Sequence, residues 1–137
     1  MIYAYEVTKT DDGYVGFIPD LGMKTKPLKT EEEVETVLTD GASAYMELVY
    51  RRKKKPIPLP VTSCDGKPAL YIPIKLQLRI LFWNTMLEQH LTQTETAEKL
   101  GTSKMMVNFM VNGKGAVSVE KYEEALKVLG KIPDVRI

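Results

Sequence analysis

Residues 91–113 read LTQTETAEKLGTSKMMVNFMVNG, and their spacing restricts the fold more than any other stretch of the chain. Thr92 with Glu95 three residues on marks a helix start, because a threonine hydroxyl accepts from the third backbone N–H while the glutamate reaches back to the cap. Leu100-Gly101 ends that helix, since glycine accepts the left-handed backbone a helix terminus uses. Ser103 is then the natural cap of a second helix predicted over Lys104 to Val111. Ala97, four residues before Gly101, is small enough for two helices to cross closely. Val107, six residues after Gly101, faces back toward the first helix, and Leu100 and Met110 complete a small core. Two short helices joined at this register have the helix-turn-helix geometry, whose second helix lies in the major groove of DNA. The plainer alternative is an αα-hairpin inside a helical bundle, and Thr102 stands where the motif usually has an apolar residue.

Lys104, Met105 and Asn108 remain on the outward side of the second helix, with Phe109 and Asn112 beyond them. These types suit groove reading: asparagine pairs with adenine through two hydrogen bonds, lysine meets guanine acceptors or phosphate, and methionine touches a thymine methyl. Gln93 and Thr94, at the start of the preceding helix, are placed to bond backbone phosphate. Together these residues form the candidate DNA-binding set.

The first half of the chain has a different period. Tyr3, Tyr5 and Val7 alternate with Ala4, Glu6 and Thr8 as in a strand, and Thr10-Asp11-Asp12-Gly13 is a turn. Tyr14 to Ile18 returns as a second strand, Pro19-Asp20-Leu21-Gly22 turns again, and Met23 to Lys26 adds a short third strand. Thr30 with Glu33 predicts a capping box at the head of a helix, where Glu31 to Glu33 suit the positive end of the helix dipole. Val34, Val37, Leu38, Gly41, Tyr45, Leu48 and Val49 form the stripe expected to face the sheet, with Gly41 permitting close approach. Arg51 to Lys55 end this helix, and Pro56-Ile57-Pro58-Leu59-Pro60 forbids its continuation. Ala69 to Ile72 is a final strand, and Pro73 marks the expected boundary between a sheet module at 1–72 and a helical module at 73–137.

The second module opens with a helix over Ile74 to Gln89. It carries two apolar stripes, one of Leu76, Ile80, Trp83 and Leu87 and one of Leu78, Phe82 and Met86. That is more than one core-facing surface needs, so the helix is either buried on most sides or shared with a second subunit. A last helix over Val119 to Gly130, capped by Ser118, places Tyr122, Ala125, Leu126 and Leu129 on its buried side.

Composition narrows the function classes. The chain has 137 residues, and 19 basic against 18 acidic side chains leave a net charge of +1, so any nucleic-acid reading rests on local pattern. Residues 1–72 hold ten basic and eleven acidic side chains and residues 73–137 hold nine and seven, which adds little. Cys64, the one cysteine, cannot make an internal disulfide or a cysteine-rich metal site. With no apolar run of membrane-span length and no signal-like opening, a reducing cytoplasmic setting without membrane association is expected. His90 sits where two helices join and reads as a capping or surface residue rather than a ligand or base. The run Arg51-Arg52-Lys53-Lys54-Lys55 reads as a solvated helix end, with phosphate binding as the alternative. Asn112-Gly113-Lys114-Gly115 lacks the spacing of a phosphate-binding loop. The acidic residues are scattered, no acid–base pair stands out, and no enzyme, metal or cofactor is expected.

The order of these parts resembles the HicB family of antitoxins. The resemblance is carried by Gly13-Tyr14, Phe17-Ile18-Pro19-Asp20-Leu21, Thr30-Glu31-Glu32-Glu33 and Ile57-Pro58-Leu59-Pro60, followed by the helix-turn-helix, and it covers nearly the whole chain. It implies an α+β fold: an N-terminal truncated ribonuclease-H-like sheet with one packing helix and no catalytic residues, then an all-α helix-turn-helix domain. It also implies that residues 1–72 bind and block HicA, a small RNA-cleaving toxin. Residues 73–137 would form a homodimer or higher even oligomer, bind the operator of their own operon and repress it. Carried over residue by residue, Lys104, Met105 and Asn108 become reading residues and Ser103 a phosphate contact. Leu21-Gly22 and Thr25-Lys26-Pro27 stand where the family commonly has Pro-Gly and Thr-x-Gly, so no toxin-contact residue is transferred.

Two other functions fit the same elements. One is a free-standing transcriptional regulator whose first module senses a small ligand. The other is a degenerate nuclease or RNA-binding module using the basic run, although the first module lacks clustered carboxylates to hold a metal.

Overall fold

The computed structural model describes residues 1–131. Along them run β1 (Ile2–Ala4), β2 (Glu6–Thr10), β3 (Gly13–Ile18), β4 (Met23–Lys24), α1 (Glu31–Tyr45), a π-helical segment (Met46–Arg51), β5 (Ala69–Tyr71), α2 (Ile74–Glu88), α3 (Gln93–Leu100), α4 (Lys104–Asn112) and α5 (Val119–Val128). The architecture is α+β, with small antiparallel sheets followed by helices.

Two units divide the chain: Met1–Val49 with Pro58–Ile72, and Tyr50–Ile57 with the chain from Pro73 onward. A single cut after residue 72 therefore does not describe the partition, because Tyr50–Ile57 goes with the helical unit. The reason is local. Trp83 Nε1 donates to the Lys55 carbonyl at 2.9 Å, and the Asn84 carboxamide both accepts from the Ile57 N–H at 2.8 Å and donates to the Ile57 carbonyl at 2.9 Å.

In the first unit, the strand expected from Tyr3 to Thr8 is interrupted at Tyr5, whose N–H turns to the Pro68 carbonyl at 3.0 Å. β1 pairs antiparallel with β5, while β2, β3 and β4 make a separate antiparallel sheet in that order. Tyr3 and its neighbour Ala4 are both fully buried, so simple alternation fails here. The buried side of α1 is Val34, Leu38 and Ala42, continued by Met46, an i, i+4 row. This corrects the expected stripe: Val37 and Leu48 are exposed, and Ala42 and Met46 replace them. The close approach of helix and sheet occurs at Gly16 on β3, where a Cβ would lie 2.3 Å from Val34 Cγ1 and 3.0 Å from Leu38 Cδ1. At Gly41 the neighbour is only the flexible Met23 Cε, at 3.0 Å. The Thr30 hydroxyl accepts from the Glu33 N–H at 3.1 Å, but Glu33 takes the Lys29 N–H instead of closing the expected box.

Asp20, in the Pro19-Asp20-Leu21 turn, ties down a loop far along the chain. Its carboxylate accepts from the Val61 and Thr62 N–H groups, each at 3.0 Å, and from the Thr62 hydroxyl at 2.8 Å. Partial burial pushes its pKa up, but the hydrogen bonds from Thr62 and Val61 and the charge of Lys67 outweigh that and hold it below the ordinary carboxylate value.

In the second unit, α2 buries Leu78, Ile80, Phe82, Trp83, Thr85 and Met86, drawn from both predicted stripes. Burial within the chain accounts for the whole of the second stripe and for Ile80 and Trp83 of the first, while Leu76 and Leu87 are only half-buried. His90 ends α2 in the left-handed region at φ 56°, with its N–H on the Leu87 carbonyl and that of Leu91 on the Met86 carbonyl, the pairing of a Schellman terminus. Its place is that of a cap. No helix among the described residues is long and apolar enough to cross a membrane.

Candidate nucleic-acid interface

The motif between Leu91 and Gly113 folds as its caps dictate. The Thr92 hydroxyl accepts from the Glu95 N–H at 3.1 Å and Glu95 accepts from the Thr92 N–H at 3.2 Å, a complete capping box that starts α3. Gly101, at φ 64°, closes α3 in the left-handed region, with its own N–H on the Glu98 carbonyl and that of Thr102 on the Ala97 carbonyl. Two residues later the Ser103 hydroxyl accepts from the Met106 N–H at 3.0 Å and starts α4. Ala97, Val107 and Met110 are buried between the helices as the spacing requires, with Thr96 and Val111 beside them, while Leu100 is only half-buried.

α5 braces this pair. The Tyr122 hydroxyl donates to the Met110 carbonyl at 2.7 Å, satisfying one of the carbonyls that the end of α4 leaves without a helical partner. The Tyr122 ring meets Phe82 of α2 edge to face at 6.1 Å. Burial pushes the Tyr122 hydroxyl up to about 12, against a smaller opposing effect of Arg79.

On the outer side of α4, Lys104 and Met105 project into solvent, Met105 at 65% exposure. Asn108 is half-buried and engaged on both sides. It donates to Gln93 Oε1 at 3.2 Å and accepts from Asn112 Nδ2 at 2.8 Å. A carboxamide has two N–H groups and two lone pairs, so Asn108 keeps one of each for an external partner, which is the pair an adenine edge uses. Asn112 in turn accepts from the Lys114 N–H at 2.8 Å, so the row Gln93–Asn108–Asn112 is anchored to the main chain at its Asn112 end.

Gln93, Thr94, Lys104 and Asn108 line one groove of about 570 Å³. Ser103 and Met105 lie outside it: Ser103 is exposed at the cap and Met105 stands on the solvent side of α4. The same groove is lined by Arg51, Arg52 and Lys54 from the basic run. Sequence alone marks that run as a solvated helix end, and its place beside Lys104 and Asn108 of α4 is the main feature local pattern does not show. The available signal was the run of five cations, but nothing in the local pattern tied it to residues forty positions on.

A family model described as helix-turn-helix matches residues 85–134. The chain is 24% identical over 131 residues to Antitoxin HicB 2 of Photorhabdus laumondii subsp. laumondii, covering 96% of this chain and 92% of the relative. It is also 24% identical over 131 residues to Antitoxin HicB of Escherichia coli (strain K12), covering 93% and 94%. Together these similarities support a HicB-family antitoxin with a helix-turn-helix domain. The matched helix-turn-helix takes in the end of α2 and all of α3, α4 and α5, the elements that carry Gln93, Asn108 and Tyr122. The similarity runs through the sheet unit as well as the helical one.

Proposed function

We propose that this chain is a HicB-family antitoxin that neutralises a HicA-type RNA-cleaving toxin through the sheet unit, residues 1–49 with 58–72, and represses its own operon as a DNA-binding dimer in the cytoplasm. The observation that carries the DNA half is the outer side of α4. Lys104 and Met105 are open to solvent, and Asn108 is held by Gln93 and Asn112 with one donor and one acceptor unspent. In this reading Lys104, Met105 and Asn108 meet base edges, while Gln93, Thr94 and Ser103 meet phosphates. A two-fold dimer formed through the helical unit sets its reading helices about 34 Å apart, one turn of B-DNA.

The toxin half is supported by whole-chain similarity to proteins named as HicB antitoxins. The ribonuclease-H-like description of the sheet module belongs to this proposal too, supported by the strand–strand–strand–helix–strand order. Inhibition is steric, so the module needs no catalytic group.

Co-expression with the adjacent reading frame tests the reading. A small toxin should co-purify, and the full chain should restore growth. Lys104→Ala with Asn108→Ala should abolish binding to the duplex upstream of the reading frame while growth rescue persists. Upstream-duplex affinity that survives the double substitution removes α4 as the reading helix. A mass in solution matching a single chain, with repression intact, removes the dimer.

A further inference from the structure

We propose that Arg51, Arg52 and Lys54 form a phosphate-binding rim that extends the DNA interface beyond the helix-turn-helix. This rests on the reading of α4 as the DNA-contacting helix. Arg51, Arg52 and Lys54 line the same groove as Lys104 and Asn108, and no carboxylate lines it, so four cations border a single concavity. A concave surface of one sign concentrates field and favours a polyanion. In helix-turn-helix complexes the backbone passes the start of the first helix, here Gln93 and Thr94, which lie in that groove.

The rim is held in place rather than trailing from a linker. The Lys54 N–H bonds the Arg51 carbonyl at 3.0 Å and the Lys55 N–H bonds the Tyr50 carbonyl at 2.9 Å, a Schellman terminus. Trp83 and Asn84 then clamp the Lys55 and Ile57 main chain to α2. Lys54 occupies the left-handed position of that terminus at φ 56°, where glycine is the low-strain residue. A lysine there retains a charge at a site whose backbone geometry disfavours it. Lys53 and Lys55 are exposed too but do not line the groove, which makes them internal controls.

The test uses the full chain and two duplexes of equal length, one from upstream of the reading frame and one of random sequence, titrated at several salt concentrations. Arg52→Gln with Lys54→Gly should weaken binding to both duplexes by the same factor. It should also make log K against log salt shallower by about 0.9 per lost contact. Lys54→Gly alone should raise the melting temperature while lowering affinity, a combination that a purely structural role for Lys54 does not produce. Lys53→Gln with Lys55→Gln should leave the salt slope unchanged; an equal loss from this pair would mean diffuse charge and overturn the rim. Unchanged affinity and slope in Arg52→Gln/Lys54→Gly, with Lys104→Ala/Asn108→Ala still abolishing upstream binding, would overturn the rim and leave the helix-turn-helix reading standing. Wild-type protein that binds neither duplex would remove both, and binding of an RNA hairpin in place of duplex DNA would assign the cations to RNA.

Discussion

Asn108 on α4 donates its Nδ2 hydrogen to Gln93 Oε1 on α3 across 3.2 Å, joining the middle of one helix to the first residue of the other. The bond fixes the rotation of the Asn108 carboxamide before any ligand arrives. Orientation that is set in the free protein does not have to be imposed on binding, and that lowers the entropic cost of association.

Gln93→Ala should therefore weaken binding to the upstream duplex although the fold is unchanged. Losing one orienting hydrogen bond is worth about 1 kcal/mol, roughly a fivefold change in affinity. Random-sequence duplex should lose less, because phosphate contacts do not need the Asn108 carboxamide aligned. Equal losses on the two duplexes would mean that Gln93 acts on the backbone only.

Tyr122→Phe should destabilise the helical unit by about 1–2 kcal/mol, because the Met110 carbonyl is left buried without its donor. The pH dependence has a definite sign. The tyrosine hydroxyl ionises near 10 when exposed and near 12 in the fold, so the unfolded chain loses its proton first. Its contribution is complete below about 10 and falls as pH rises toward about 12. Denaturant titrations across that window should show wild type and Tyr122→Phe converging; parallel curves would contradict the burial of the hydroxyl.

Asp20→Asn should loosen the Val61–Thr62 segment and cost about 1–2 kcal/mol, since charge-assisted acceptors are replaced by a neutral one. The folded carboxyl lies below its ordinary value, so its contribution is present at neutral pH and disappears as pH falls through that depressed value. Acid unfolding followed for both proteins checks this. A substitution that leaves the acid limb unmoved would show that the carboxylate is not holding the loop.

Glycines 16 and 41 should respond to alanine with opposite signs. At Gly16 a methyl would sit 2.3 Å from Val34 Cγ1 in the packed helix–sheet contact, and overpacking of this kind costs about 1–3 kcal/mol. At Gly41 the only close atom is the end of Met23, which can turn aside, and alanine in a helix is favoured over glycine by about 1 kcal/mol. Midpoints of chemical unfolding should fall for Gly16→Ala and hold or rise for Gly41→Ala. Identical shifts would contradict the assigned contact.

The elements whose shape is dictated by neighbours in sequence were legible directly. Thr92, Ser103 and Ser118 cap their helices, Gly101 turns between α3 and α4, and Ala97, Val107 and Met110 pack at the crossing, because caps and short-range spacing involve residues within a few positions of one another. The stripe on α1 was misread at Val37 and Leu48 because a regular helix period does not anticipate the π-helical segment, nor does it tell which side a sheet will cover. What only the tertiary structure decided depends on distant chain. Pairing of β1 with β5, the carboxylate of Asp20 under Thr62, and the return of Arg51 to Lys54 beside Lys104 all bring together residues separated by some forty positions or more. No periodicity encodes such meetings. They follow from which buried donors and acceptors find each other once both units close, as Trp83 and Asn84 do with Lys55 and Ile57.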